Sequence, residues 1–143
     1  MDSVYCETDG CDYGRLPEAG FEGGFIARAL YILSQVRLWH WTTDNLDIHE
    51  ILDELYTDIE RLLDDLVEVY LVDTKSLSPG PTDITMERYE DIEQVEDGLS
   101  AMADVLELCS GAYSEDIDNI LQELSQHFKK AIYKVRMCYN GEG

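Results

Sequence analysis

The sequence predicts an all-α protein, a four-helix bundle in which a long crossover connects the second helix to the third. Apolar residues recur at steps of three and four in four stretches, which is the period of an amphipathic helix. Turn-forming residues separate these stretches, and the connector between the second and the third runs over residues 73–91. The chain has 143 residues, which fit one domain with a sizeable core. We expect a tail over residues 1–19, the bundle over 20–139 and a C-terminal tail over 140–143.

The first segment, residues 1–19, is predicted to be a flexible acidic tail, because acidic residues, glycine and proline dominate it. Cys6 and Cys11 lie in this tail and could hold a soft metal. Their spacing is not CxxC and no second cysteine pair stands nearby, so a zinc site is disfavoured. The other two cysteines, Cys109 and Cys138, fall in helical patterns and are expected to be buried thiols.

The first helix is predicted from Phe21 to about Thr43, where the polar residues TTDN are typical of a turn. Its broad apolar face consists of Phe25, Ile26, Ala29, Leu30, Ile32, Leu33, Val36 and Trp39. His40 stands between two tryptophans near the end of this helix. A single histidine in such a place is most often a packed, hydrogen-bonded core residue, and only the pattern of the next helix gives it another role.

The second helix is predicted from Asp47 to Val72, and no glycine or proline interrupts it. Its apolar stripe consists of Leu52, Leu55, Ile59, Leu62, Leu63, Leu66 and Val69. An adjacent stripe, about 100° wide, carries His49, Asp53, Asp64 and Glu68. Acidic residues on a helix usually form a solvated face, and we assign that role to Glu50, Glu54, Asp58 and Asp65.

The connector over residues 73–91 decides the topology. Residues 73–83 contain two prolines, a glycine and two serines, and the following ITMERYED could form a short helix. The second helix is about 39 Å long, whereas nineteen extended residues span roughly 60 Å. The connector can therefore return along the bundle and start the third helix parallel to the second.

The third helix is predicted from Ile92 to Leu108, and the fourth from Glu115 to about Tyr139. The third helix turns Val95, Leu99, Met102, Ala103, Val105 and Leu106 inward. The fourth presents Ile117, Ile120, Leu121, Leu124, Phe128, Ile132, Tyr133, Val135 and Met137 as its apolar residues. Four basic residues in its second half suit the helix dipole, with a salt-bridged subunit contact as the alternative. His127 has no acidic partner at ligand spacing and is left out of the site.

The charge balance is strongly acidic, with 31 acidic residues against 10 basic ones and a net charge of −21. This balance disfavours a broad basic face for nucleic acid or an anionic membrane. It suits a protein that collects cations, although a solvated acidic surface explains it equally well. No apolar run approaches the roughly 20 residues that span a bilayer, and the first residues lack a signal-peptide pattern. We therefore expect a cytoplasmic protein with neither DNA nor a membrane as a partner.

The four polar residues on the stripe of the second helix form two pairs. His49 and Asp53 are one turn apart, and so are Asp64 and Glu68. Eleven residues, or about 16 Å, separate Asp53 from Asp64. One ion with ligand bonds of about 2.0–2.2 Å cannot bridge that distance. Two copies of this helix packed antiparallel about a two-fold axis would complete two identical sites, about 22 Å apart.

The motifs HW, HEILD and LDDLVE resemble the ferroxidase motif of the Dps family of mini-ferritins. The resemblance is firm over residues 25–72 and looser over 85–138. It implies that iron is held by His40, His49 and Asp53 of one subunit, with Asp64 and Glu68 of its two-fold neighbour. The spacing from His49 onward agrees with the family. His40 and His49 are nine residues apart, fewer than in bacterial members and similar to compact Dps-like proteins of bacteriophages.

The resemblance implies a ferritin-like fold and a ferroxidase reaction. Fe(II) would be oxidised, with hydrogen peroxide usually preferred over dioxygen, and stored as a ferric mineral inside a hollow dodecamer in a bacterial or phage-infected cell. The sequence lacks the ExxH motif of di-iron sites inside one bundle, which favours a site between subunits. Trp41 and Tyr56 are expected to pack in the core near the site, with absorption of stray oxidising equivalents as the alternative role.

Two other functions stay open at this point. One is an acidic helical interaction protein that mimics DNA and occupies a basic partner, which gives no reason for two histidines in register with three carboxylates. The other is a shell that binds Zn or Mn without useful oxidation. Imidazole and carboxylate ligands suit several first-row divalent ions, so ligand type alone does not select iron.

Overall fold

The computed structural model describes residues 24–74, 84–111 and 113–142. These residues contain four helices and no strand. The helices are α1 (Phe25–Thr42), α2 (Leu46–Thr74), α3 (Ile92–Leu108) and α4 (Glu115–Glu142). The prediction of an all-α, four-helix protein is confirmed. The predicted tail over 1–19, with Cys6 and Cys11, lies outside the described residues, as does the centre of the connector.

Most helix boundaries agree with the periodicity of the sequence, but α1 begins at Phe25 and not at the predicted Phe21, because Gly24 has a φ of 97° and is not helical. Both ends of α3 are as predicted, and those of α2 differ by one or two residues. Helix α4 continues to Glu142, so most of the expected C-terminal tail is helical. The short helix expected in ITMERYED is wrong, because residues 84–91 are not helical. Their backbone is bonded to α1 instead: Glu87 N–H donates to Gln35 Oε1 at 2.8 Å, and Gln35 Nε2 donates to Glu87 O at 2.7 Å.

Hydrogen bonds at the two ends of the bundle fix the direction of the helices. Tyr89 N–H donates to Thr42 Oγ1 at 2.9 Å, so α3 begins beside the end of α1. Ser114 Oγ donates to Asp73 Oδ2 at 2.8 Å, so α4 begins beside the end of α2. Since α2 starts only a short turn after α1, α3 runs parallel to α2, and the connection between them joins opposite ends of the bundle. This is the long crossover that the length of the connector predicts.

The core lies between the four helices and is filled from the predicted faces. All six residues of α3 predicted to point inward are buried, as are five of the seven stripe positions of α2. The exceptions lie at the edges of broad faces: Leu30, Tyr133 and Met137 were expected inside and are 44%, 66% and 52% exposed. Conversely, Gln35 is buried, because its amide is satisfied by the Glu87 backbone.

Three of the four basic side chains in the second half of α4 pair with acids of their own chain. Lys134 Nζ lies 2.8 Å from Glu54 Oε1 of α2, Arg136 Nε lies 2.6 Å from Glu96 Oε2 of α3, and Lys129 contacts Glu107 of α3. Hydrogen bonds from Lys134 and Lys129 lower the pKa of Glu54 and of Glu107 below their usual values. Glu54 is therefore not simply solvated, and these bases join helices within one subunit. As exposed pairs, they contribute little stability each.

The two described cysteines differ. Cys138 is a buried thiol, as predicted, and its Sγ donates to Lys134 O at 3.5 Å. Cys109 is buried but disulfide-bonded, so the expectation of a thiol is wrong there. No helix of the described residues is long and apolar enough to cross a bilayer.

Gly98, in the middle of α3, is required by a close approach between α1 and α3. A Cβ at this position would overlap Cη2 of the Trp39 indole and lie 3.0 Å from its Cζ2. Trp39 is 2% exposed and cannot swing into solvent without emptying part of the core. We expect Gly98→Ala to lower the free energy of unfolding, measured by chemical denaturation, by about 1–3 kcal/mol. The better helix propensity of alanine, about 1 kcal/mol, offsets only part of that cost.

The control for this effect is the same Gly98→Ala substitution made in a protein that already carries Trp39→Phe. Phenylalanine lacks the outer ring atoms that the new Cβ would meet, so Gly98→Ala should be neutral or stabilising there. The difference between the two backgrounds is the coupling energy of a double-mutant cycle. An equal cost of Gly98→Ala in both backgrounds would show that the glycine is needed for another reason.

Candidate metal centre

The turn between α1 and α2 brings the two predicted histidines together. Helix α1 ends at Thr42, and Thr43 is extended. Asn45 starts α2: its Oδ1 accepts from Ile48 N–H at 3.0 Å, which caps the new helix. Thr43 Oγ1 accepts from Asn45 N–H at 3.1 Å and holds the turn closed. His40, in the last turn of α1, therefore lies against His49, in the first turns of α2.

The two histidines hold each other through reciprocal hydrogen bonds. His40 Nδ1 lies 2.9 Å from the backbone oxygen of His49, and His49 Nδ1 lies 2.8 Å from the backbone oxygen of His40. A carbonyl oxygen can only accept, so both Nδ1 atoms carry hydrogen. The imidazoles are stacked, with centroids 3.9 Å apart and planes 19° from parallel. In the neutral state each Nε2 then carries the lone pair that a metal ligand needs, an arrangement typical of metal-binding histidines.

Asp53 completes the first group of predicted ligands. Its Oδ1 lies 3.9 Å from His40 Nε2, one helical turn after His49. That distance is too long for a hydrogen bond, and two ligands of one ion with bonds of about 2.1 Å are about 3.0–3.5 Å apart. The Asp53 side chain is 60% exposed, against 9% for that of His40. Asp53 can therefore close the gap by side-chain rotation while the histidines stay fixed.

Asp64 and Glu68 form the second group, and Asp65 joins them. Among the residues that the structure describes, these three form the one group whose ligand atoms all lie within 4.8 Å of one another. All three are exposed. Sequence reasoning assigned Asp65 to the solvated face. Its i,i+3 spacing to Glu68 is the signal that could have included it.

The two groups lie on one helix but do not form one site. Helix α2 is continuous from Leu46 to Thr74, so Asp53 and Asp64 stay about 16 Å apart along its axis. Each chain therefore carries a half with two imidazoles and one carboxylate, and a half with carboxylates only. The structure brings Asp64 and Glu68 together. It stacks His40 on His49 and places His40 Nε2 3.9 Å from Asp53, but the ligand atoms of these three do not all lie within 4.8 Å of one another. The two halves stay apart, as their spacing requires.

Aromatic and cationic side chains border the first group. The Arg37 guanidinium carbon lies 3.6 Å from the ring centroid of Tyr56 and 5.6 Å from that of Trp41. Tyr56 is partly buried against the core, whereas Trp41 is 69% exposed. The prediction that Trp41 packs in the core is therefore wrong. It lies in the last turn of α1, where the bundle ends.

His127 has an acidic partner that its own helix does not reveal. Its Nδ1 lies 3.4 Å from Oδ2 of Asp58 in α2. The prediction for His127 concerned spacing within α4 and did not include this contact between helices, which shows that Asp58 is not simply solvated. The contact depends on the antiparallel register of α2 and α4. It lies apart from both halves of the candidate centre, because Asp58 is on the side of α2 that faces α4.

Comparison with known proteins gives no further information about this site. In comparisons with protein-family models, curated proteins and solved structures, the chain gives no significant match.

Proposed function

We propose that this protein is a Dps-like mini-ferritin with a ferritin-like fold. It oxidises Fe(II) at sites shared by two subunits, with hydrogen peroxide as the oxidant, and stores ferric iron in a hollow dodecameric shell. The observation that carries the proposal is the fixed tautomer of His40 and His49. In the neutral state their backbone bonds leave both Nε2 atoms without a hydrogen, and that of His40 lies 3.9 Å from Asp53 Oδ1. A packed core histidine makes such a bond too, but two histidines held in this way next to each other, with a carboxylate one turn on, form a set of metal ligands.

The position of the carboxylates supports sites between subunits. The His49–Asp53 pair and the Asp64–Glu68 pair sit at equal distances from a point between residues 58 and 59 of α2, on a stripe that the core leaves free. When two copies of α2 pack antiparallel, the histidine half of one copy faces the Asp64–Glu68 half of the other. The two-fold axis repeats this arrangement, so each dimer has two sites. The sites are then identical, and each contains two imidazoles and three of the predicted carboxylates.

This set of ligands suits iron as the substrate. Imidazole nitrogen and carboxylate oxygen bind first-row divalent ions, and a site without sulfur disfavours Cu(I). Three carboxylates per site also favour the more highly charged ferric product. Two Fe(II) ions each give one electron to a peroxide molecule, which takes up two protons and becomes two water molecules. Such stoichiometry removes iron and peroxide together.

The test is anaerobic loading of the protein with Fe(II), followed by hydrogen peroxide. Near-ultraviolet absorbance reports ferric iron, and native mass spectrometry of the same sample reports the assembly. We expect oxidation faster than in protein-free buffer, a soluble ferric product and a large homo-oligomer. A monomer that lets iron precipitate at the buffer rate would favour the acidic interaction protein. An assembly that binds Zn or Mn but leaves Fe(II) oxidation at the buffer rate would contradict the ferroxidase.

A further inference from the structure

Cys109 forms a disulfide bond, and its position in the fold restricts which cysteine can be the partner. It is the residue directly after α3, and it is 3% exposed. Another chain therefore cannot reach its sulfur without opening this end of the bundle. The chain has three other cysteines, Cys6, Cys11 and Cys138. A disulfide needs Cα atoms about 4.4–6.8 Å apart, so the distance along the bundle decides between these three.

Cys138 lies too far from Cys109 to be its partner. Cys109 and Leu121 line the same small cavity, of about 20 Å³, so Cys109 lies beside the first turns of α4. Seventeen residues of helix, or about 26 Å, separate Leu121 from Cys138. The Cys138 sulfur also carries its hydrogen, since it donates to Lys134 O at 3.5 Å. The bond of Cys109 is therefore not made with Cys138.

The start of α1 lies beside Cys109. Arg28, in the first turn of α1, lines the same small cavity as Cys109. Cys11 stands 14 positions before the first residue of α1, and Cys6 stands 19 positions before it. Fourteen residues can span roughly 46 Å when extended, far more than the separation of two helix ends that share a cavity. Cys6 and Cys11 lie outside the described residues, and by chain length either of them can reach Cys109.

We propose that Cys109 and one of Cys6 and Cys11 are a dithiol that hydrogen peroxide converts to a disulfide. One thiolate takes an oxygen atom from peroxide and becomes a sulfenic acid, and the remaining oxygen leaves as water. The second sulfur then displaces the sulfenic oxygen as water, and the S–S bond forms. Two thiols lose two electrons and two protons, and one peroxide becomes two water molecules. The reaction needs no iron, so it goes beyond the proposed function.

The bond ties the chain before α1 to the end of α3. It closes a loop of about 100 residues that contains α1, α2 and α3. A crosslink over such a loop stabilises a protein by restricting its unfolded chain. The bond lies at the end of α1 opposite to the contact of Trp39 with Gly98, so α1 and α3 are held to each other at both ends. Oxidation by peroxide would thus make the bundle more resistant to unfolding.

Peptide mapping of the iron-free protein tests the pairing. The protein is reduced, separated from the reductant and treated with an equimolar amount of hydrogen peroxide. The remaining thiols are alkylated, and the digest is analysed by mass spectrometry without reduction. We expect one crosslinked peptide pair, with Cys109 joined to Cys6 or Cys11, in a protein that runs as a single chain on a non-reducing denaturing gel. Cys6→Ser/Cys11→Ser should lose this crosslink, and the two single variants identify the partner.

Thermal unfolding measures what the bond does. We expect reduction to lower the unfolding midpoint of the wild type by about 5–15 °C. In Cys109→Ser the oxidised and reduced samples should unfold at the same temperature. Cys138→Ser also removes one cysteine and is the matched control, in which the difference between the two samples should persist. Equal midpoints of the oxidised and reduced wild type would overturn the stabilising role of the bond.

Other results of the peptide map would overturn the pairing itself. These are a bond from Cys109 to Cys138 or to another chain, a bond between Cys6 and Cys11, or four thiols that stay reduced after peroxide treatment. If Cys109→Ser fails to fold, the map of the wild type decides alone, because it needs no variant. Since iron is absent throughout, a protein that forms the predicted crosslink but does not oxidise Fe(II) would support this inference and contradict the ferroxidase.

Discussion

Replacing Asp64 and Glu68 by alanine is expected to lower the initial rate of Fe(II) oxidation at least about a hundredfold. Loss of groups that merely orient metal ligands costs about 10–100-fold in affinity or activity, and these two carboxylates are themselves the proposed ligands. Both side chains are exposed on a continuous helix, so their removal leaves no cavity. Neither makes an ion pair within the part of the chain that the structure describes. The measurement is ferric absorbance after peroxide addition, with thermal unfolding to confirm that stability is kept.

The matched control is Asp97→Ala/Asp104→Ala. These acids are exposed on α3 and change the net charge by the same amount. If general attraction of cations by a charge of −21 drives oxidation, both double variants will lose the same small fraction of activity. If the ligands drive it, only Asp64→Ala/Glu68→Ala loses the fast phase. A wild-type rate of Fe(II) oxidation in Asp64→Ala/Glu68→Ala would contradict the assignment of these two residues to the site.

The sequence predicts the helices and their inward faces well because hydrophobic periodicity is a local property. Helix α3 shows this most clearly, since its ends and all six inward residues follow from spacing alone. The carboxylate pair on α2 also depends only on local sequence. An i,i+4 spacing on a continuous helix brings Asp64 and Glu68 together without any tertiary contact. The likeness to one family then rests on these local motifs.

Contacts between distant segments could not be predicted in this way. Gln35 is buried because the connector returns to α1 and bonds its amide, and no pattern within α1 indicates that. Likewise, Asp58 meets His127 only because α2 and α4 are antiparallel in one particular register. The reciprocal bonds of His40 and His49 need the geometry of a short turn. The spacing in the sequence identifies these histidines as candidate ligands, but the geometry of the turn determines which ring nitrogen is available to bind a metal.

The errors in exposure also have a physical reason. Trp41, Tyr133 and Met137 were expected to pack in the core and are exposed. A four-helix bundle buries only part of each helix, so apolar residues at the edge of a broad stripe reach the surface. In a shell, such residues would be covered by neighbouring subunits.

Mixing two inactive variants is expected to restore about a quarter of the wild-type activity. His49→Ala/Asp53→Ala removes most of the histidine half, and Asp64→Ala/Glu68→Ala removes the carboxylate half. Each variant alone should oxidise Fe(II) at the buffer rate. After both are unfolded together in equal amounts and refolded, subunits pair at random. Since a complete site needs one intact half from each kind of subunit, about one site in four is complete.

The recovered rate distinguishes a shared site from one inside a subunit. A site within one chain has lost ligands in every subunit of the mixture, so mixing would restore nothing. The wild type taken through the same unfolding and refolding gives the reference rate, and each variant refolded alone gives the background. A mixture that assembles like the wild type but stays at background would show that the two halves on α2 do not act on the same iron. Recovery near one quarter would require that His49 and Asp53 meet the partner's carboxylates, because no other combination of intact residues exists in the mixture.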